Sequence, residues 1–229
     1  MPLAGKIAWP FYLKKFNEVI KKFNFKNILK TDCNNEAFSN PKHGGLVKNL
    51  DNSENLSITI LEYDSNVINK ALKLFPDLKI DKGDIRNLTY EDKYFDLVAD
   101  FSTIDHISKN DIYTVLNEYL RVTKDDGYIL LVCWFAYDKK DVISNFNKWT
   151  SSDQYFLWED DITNFFINNS TQVIESETIV NINYKYSRNY WESIDITKNP
   201  KYYLKYILIN KLNKNSNSKF NHTIFNFFV

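Results

Sequence analysis

Four acidic side chains stand just past four apolar, β-rich runs, and their placement is the first hint of chemistry in this chain. They are Asp32 in Thr31-Asp32-Cys33, Glu62 in Glu62-Tyr63-Asp64, Asp84 in Gly83-Asp84-Ile85-Arg86, and Asp100 in Asp100-Phe101-Ser102-Thr103. An open parallel sheet takes its ligands beyond the carboxyl ends of its strands, so these are the positions that would face one. A carboxylate after the second run can accept bonds from a pair of ribose hydroxyls. One after the third can accept from an exocyclic amine such as that of adenine. A rim of carboxylates repels phosphate and favours a ligand with positive charge, which argues against a dinucleotide and for a cationic nucleoside. His106, in Ser102-Thr103-Ile104-Asp105-His106, would follow the fourth run. A histidine's ordinary pKa of ~6.5 suits proton removal from a hydroxyl or amine, although a loop histidine can equally serve to bond backbone. Asp105 is a weaker candidate of the same kind. His43 and His222 stand apart from any cluster, and three scattered histidines make no metal centre.

The elements that would position these groups are legible from periodicity. Strands are expected at Asn27–Thr31, Leu56–Glu62, Leu78–Gly83, Phe95–Asp100 and Tyr128–Trp134, with helical faces at Ser65–Phe75 and Asp111–Thr123 between them. The spacing predicts a helix over Pro10–Phe23 with proline at its start. Asp96 reads as a structural acid opening the fourth strand. Past Trp134 the pattern predicts helices at Lys139–Trp149 and Trp158–Asn168, a strand at Gln172–Asn183, a helix around Tyr202–Leu212 and a last strand at Asn221–Val229. The alternation is that of an α/β domain with helices on both faces of one sheet. A single domain over residues 1–229 is expected, divided into an N-terminal helix (1–25), a ligand-binding core (26–134), an aromatic-rich lid or acceptor region (135–170) and C-terminal strands and helix (171–229). Trp134, Phe135, Tyr137, Trp149, Tyr155, Phe156 and Trp158 could form that lid, or be core.

Composition narrows the classes. Lysine plus arginine and aspartate plus glutamate balance at 29 each, so no net field recruits nucleic acid or an anionic membrane. The apolar run Tyr128–Tyr137 is shorter than the ~20 residues a bilayer requires, and the first residues lack the order of a signal peptide. A cytoplasmic protein is expected, with Cys33 and Cys133 reduced.

Three stretches, in order and compatibly spaced over residues 26–134, resemble class I S-adenosylmethionine-dependent methyltransferases of the small-molecule type. LEYDSNVINKAL carries the strand-end acid Glu62 and, nine positions on, Ala71; KGDIRNLTYEDKYFDLV carries Gly-Asp, a leucine and Phe-Asp; EYLRVTKDDGYILLV carries the helix, turn and fifth strand. LKTD together with DFSTIDHI is similar to a subset of that family. The resemblance implies a seven-stranded Rossmann-like sheet of order 3-2-1-4-5-7-6 with the last strand antiparallel, and methyl transfer from S-adenosylmethionine, leaving S-adenosylhomocysteine, to an oxygen or nitrogen of a small molecule. It also implies that Glu62 binds the ribose and Asp84 the adenine, with Tyr63 and Ile85 beside them. Lys30, Thr31, Asp32 and Asp100 would serve the methionyl end, in a pocket that Phe101 and Ser102 line, and His106 would be the base. Asp32 or Thr31 could instead cap a short helix at Asn34–Phe38, with Glu36 completing the cap. That strand order separates Cys33 and Cys133 by roughly 9–10 Å, beyond the reach of a disulfide. The family's Gly-x-Gly-x-Gly turn is missing: its acid aligns with Lys30 and its glycines with Asp32 and Asn34. Asn34 or Asn35 could supply the left-handed turn, and Gly44-Gly45 the close approach. Alternatives are a catalytically silent binding module of the same fold, or action on RNA or protein; a DNA amino-methyltransferase is disfavoured because DFST stands where that group has Asn/Asp-Pro-Pro-aromatic.

Overall fold

Alternating apolar runs and helical stripes fold here into one mixed sheet. The computed structural model describes residues 3–38, 45–50, 56–139, 144–147, 152–186, 191–195 and 202–213. The helices are α1 (Leu3–Lys22), α2 (Asn34–Ala37), α3 (Ser65–Leu74), α4 (Ile112–Val122) and α5 (Glu159–Ile167). The strands are β1 (Asn27–Thr31), β2 (Ser57–Glu62), β3 (Ile80–Lys82), β4 (Phe95–Phe101), β5 (Thr123–Ala136), β6 (Ser144–Asn147), β7 (Ser152–Tyr155), β8 (Thr171–Tyr186), β9 (Trp191–Asp195) and β10 (Tyr202–Lys211).

The main sheet runs β3-β2-β1-β4-β5-β10-β8-β9, parallel through β5, with β10 antiparallel to both β5 and β8. With β8 as sixth strand and β10 as seventh, this is the expected 3-2-1-4-5-7-6 order, extended by β9 at the edge. Strand alternation sends successive side chains to opposite faces. Leu130, Val132 and Trp134 of β5 thus join the core under α1, while Ile129, Leu131 and Cys133 join the core under α4. On the first face Ala8, Tyr12, Phe16, Val19 and Ile20 of α1 are buried against Phe101, Leu130 and Tyr206. On the second, Val115, Leu116 and Tyr119 of α4 are buried. Both cysteines are free and buried. Asp96 accepts from the Lys26 and Asn27 amides at 2.9 and 2.7 Å and from Lys124 Nζ at 2.7 Å, tying the starts of β1, β4 and β5. No helix among the described residues is long and apolar enough to cross a membrane.

Three elements differ from expectation. Residues 202–211 form a strand and not a helix. Tyr202, Leu204, Tyr206 and Leu208 enter one core and Tyr203, Ile207 and Ile209 the other, so a segment apolar on both faces satisfies a central strand better than an amphipathic helix. Within Lys139–Trp149, also expected as helix, residues 144–147 pair antiparallel with 152–155 as a hairpin. Finally, α1 begins at Leu3, placing Pro10 inside it; burial of Ala8 extends the packed stripe and offsets the main-chain bond that proline forgoes. The expected strand at Asn221–Val229 lies outside the described residues.

Phe16 is wholly buried and its ring meets Phe101 with centroids 5.1 Å apart. Phe16→Ala should cost about 3–5 kcal/mol in urea unfolding, because α1 loses its central anchor. A cost under about 1 kcal/mol would show that α1 is not held this way.

Candidate active site at the carboxyl ends of the strands

The turn after β1 is organised by a buried lysine. Lys30 has no exposed surface; its Nζ donates to the Asp32 carbonyl at 2.7 Å and to Glu36 Oε2 at 3.0 Å, and Glu36 is itself fully buried. Burial opposes the ammonium, yet Glu36 and Asp32 outweigh it and hold the pKa of Lys30 above its ordinary value. The other Glu36 oxygen accepts from the Val47 amide at 3.2 Å. Gly45 lies so close that an added Cβ would stand 2.8 Å from Glu36 Cγ. Its lack of a side chain is therefore used to admit Glu36. Gly44 lies outside the described residues. The left-handed turn is made by Asp32, at φ 56°. Asn34 and Asn35, expected to make it, sit in α2, where the Asn34 amide donates to Asp32 Oδ1 at 2.8 Å. Asp32 thus takes over a glycine's conformation and supports the helix start.

Asp32 also reaches across to β4. Its Oδ2 accepts from Thr103 Oγ1 at 2.6 Å, and Thr31 Oγ1 donates to Thr103 Oγ1 at 3.0 Å. Burial pushes the Asp32 carboxyl up, while Lys30 opposes the shift. At the end of β4, Asp100 is fully buried and accepts from the Thr103 amide at 2.7 Å, the Ile104 amide at 3.1 Å and Tyr119 Oη at 2.7 Å. Burial pushes its pKa up to about 7, against the lowering effect of Tyr119 and Thr103. Ser102 is a second left-handed residue, at φ 68°, and its Oγ donates to Asp105 Oδ2 at 2.7 Å. Asp105 has no exposed surface, and burial raises its pKa. Tyr12 of α1 completes the cluster: it bonds Ser102, and burial and then the Asp105 charge raise its hydroxyl pKa. His106 Nε2 stands 3.9 Å from Asp105 Oδ1, with the ring partly exposed.

Of the two remaining strand ends, that of β2 is buried and that of β3 is more open. Glu62 Oε2 accepts from the Cys33 amide at 3.0 Å, and Oε1 from the Tyr63 and Asp64 amides, both at 2.9 Å. Three of about four lone-pair sites on the carboxylate are thereby taken. Asp84 is gripped by Arg86 through its main-chain amide, Nε and NH2, at 2.6–3.1 Å, and hydrogen bonding from Arg86 lowers its pKa. Tyr63 is exposed, while Ile85 and Phe101 are buried.

Asp32, Glu62, Asp100, Ser102, Asp105 and His106 therefore converge, whereas Lys30 serves the turn and Asp84 is shared with an arginine. Phe101 packs on Tyr12 and Phe16, and Trp134, Phe135 and Phe156 are core instead of lid. Tyr12, Thr103 and Tyr119 were missed, and Glu36 was expected only as part of a helix cap. Glu36 alone carried a sequence signal, a carboxylate six residues past a strand-end lysine.

The strand order, with acids closing β1, β2 and β4, is that of a Rossmann-like α/β fold. Residues 43–131 match the family model described as a methyltransferase domain. Solved structures with the same fold include the YcgJ protein of Bacillus subtilis (16% identity, TM-score 0.62, covering 89% of this chain and 99% of that one). Others are an S-adenosylmethionine-dependent methyltransferase of Clostridium acetobutylicum (14%, TM-score 0.58, 90% and 92%) and one of Methanosarcina mazei (13%, TM-score 0.60, 85% and 97%). No curated protein sequence matches. The stretch 43–131 is thus similar to a methyltransferase domain, and the chain shares its fold with solved S-adenosylmethionine-dependent methyltransferases.

Two outcomes follow from the buried charges. Lys30→Met strands Glu36 and should cost about 3–5 kcal/mol, while Lys30→Met/Glu36→Gln should regain at least half of that; equal loss in both would show that the pair does not hold the turn. Asp100, raised to about 7 when folded and ~3.9 when unfolded, keeps a proton only in the native state between those values. Its contribution to stability therefore falls as pH rises from about 4 to about 7 and is level above. Asp100→Asn should lose that component of the pH dependence of urea midpoints between pH 5 and 8, and an unchanged slope would refute it.

Proposed function

We propose that this protein moves the sulfonium methyl of S-adenosylmethionine to an oxygen or nitrogen of a small-molecule acceptor. The observation that carries the reading is electrostatic. Asp32, Glu62, Asp100 and Asp105 are buried together at the strand ends, and the buried ammonium beside them, Lys30, is bonded to a fifth carboxylate, Glu36. Such a chamber complements a nucleoside that carries a sulfonium and an ammonium, and it repels phosphate. The residues present thus fit the cofactor.

The remaining lone pair of Glu62 would take a ribose hydroxyl, with Tyr63 beside it. Asp84 and Ile85 would flank the adenine, with the Asp84 carboxylate shared with Arg86. Asp32 and Thr31, held by Lys30 and Thr103, would face the methionyl amine, with Asp100, Phe101 and Ser102 shaping that end. When bound, the cofactor supplies an electrophilic methyl group. The chain's own residues orient donor and acceptor, an effect worth up to several kcal/mol of barrier, and move one proton, for which His106 is the base. Balanced net charge favours a small acceptor over RNA. Two free, buried cysteines support a cytoplasmic setting.

Titration calorimetry tests this directly. S-adenosylmethionine should bind, and Glu62→Gln should weaken it by about ten- to a hundredfold, the value of a bond to a charged group, with the thermal midpoint as a check on folding. Absence of binding at millimolar cofactor would overturn the reading in favour of a catalytically silent module.

A further inference from the structure

The Asp105 carboxylate is used by half. Oδ2 accepts from Ser102 Oγ at 2.7 Å, while Oδ1, on a side chain with no exposed surface, has no hydrogen-bond partner. Oδ1 faces the His106 ring across 3.9 Å, and that ring is partly exposed. The unfilled oxygen is therefore the one beside the partly exposed ring. A buried anion with an unfilled lone pair is costly unless something completes it. Tyr12 and Ser102 cannot do so, because the Tyr12 hydroxyl bonds Ser102 and Ser102 bonds the other oxygen. The main-chain amides of Trp134 and Asp105, which favour the charged carboxyl, leave Oδ1 without a hydrogen bond.

We propose that Asp105 Oδ1 seats the amino group of the acceptor, and that the acceptor is therefore an amine. This rests on the methyl-transfer reading above and narrows it. An amine enters as an ammonium, the complement of a chamber that also holds Asp32 and Asp100. One N–H stays on Asp105 while another proton passes to His106 Nε2. The freed nitrogen lone pair then forms the N–C bond as the methyl carbon's bond to sulfur breaks, and that electron pair stays on sulfur as a thioether. Positive charge passes from sulfur to nitrogen without leaving the carboxylates, and the imidazolium formed stands beside Asp105 before it returns its proton to water. Methylation of a hydroxyl would instead require negative charge to develop on oxygen among these anions. A carboxylic acid acceptor is repelled outright.

The test uses the full chain loaded with S-adenosylhomocysteine and a calorimetric panel of primary amines, from methylamine to phenethylamine, each beside its isosteric alcohol. At least one amine should bind about tenfold or more tighter than its alcohol, and Asp105→Asn, with its thermal midpoint checked, should abolish that preference. No amine preferred over its alcohol in the wild type, or a preference that survives in Asp105→Asn, overturns the proposal. The wild-type comparison stands whether or not the variant folds. Failure of S-adenosylmethionine to bind removes the methyl-transfer reading and this inference together, whereas its binding without an amine preference removes this inference alone.

Discussion

A lysine with no exposed surface at the end of β1 dictates much of what surrounds it. An ammonium cannot be left uncompensated inside a protein, so the chain after β1 must bring a carboxylate and a carbonyl to it within a few residues. Glu36 supplies the first from the short helix α2, and Asp32 supplies the second by entering the left-handed region. That left-handed Asp32 backbone accompanies a carboxylate bonded to Thr103, just past the neighbouring strand. The 45–50 segment then closes over Glu36, through the Val47 amide and the missing side chain of Gly45. An ion pair organises this turn where the methyltransferases that the sequence resembles carry Gly-x-Gly-x-Gly.

The same burial sets the electrical character of the site. Carboxylates at the ends of β1, β2 and β4 face one another with their nearest buried cation already engaged. Asp32 and Asp105 each raise the pKa of Asp100 and of the Tyr12 hydroxyl. Amides and hydroxyls offset part of the cost of the individual groups, yet burial still pushes Asp100 up to about 7. The stability cost of holding them together fits a site completed by a cation, since apolar side chains of similar size would have packed without it.

The positions of Asp32, Glu62, Asp84 and Asp100 were legible because each of the first four strands is a short run closed by an acid, and parallel order follows from the α/β alternation. Their partners were not. Thr103 meets Asp32 across 71 positions, and Tyr12 reaches Ser102 from a helix that reads only as an amphipathic stripe. Long-range side-chain contacts of this kind leave no period in the chain. The strand at 202–211 was illegible for a different reason: YYLKYILINK is apolar at both strand and helix spacing, and only the neighbours β5 and β8, which cover its edges, decide between them. In the same way Lys30 read as a group for the ligand, because a carboxylate six residues on does not by itself fix that Glu36 folds back onto it.

Two residues other than glycine, Asp32 and Ser102, hold positive φ on the adjacent strands β1 and β4. Each such conformation costs on the order of 1–3 kcal/mol and persists only where the surroundings over-determine it. Here they do: Asp32 is held by Lys30, Asn34 and Thr103, and Ser102 by Asp105 and Tyr12. Strain at paired strand ends, locked by buried charge, means that the side chains facing a ligand are set before it arrives. A glycine turn spends binding free energy on ordering itself, whereas this turn is ordered by folding. The cost has moved from the binding step to the stability of the fold, which is why the buried ion pair and the site must be understood as one structure.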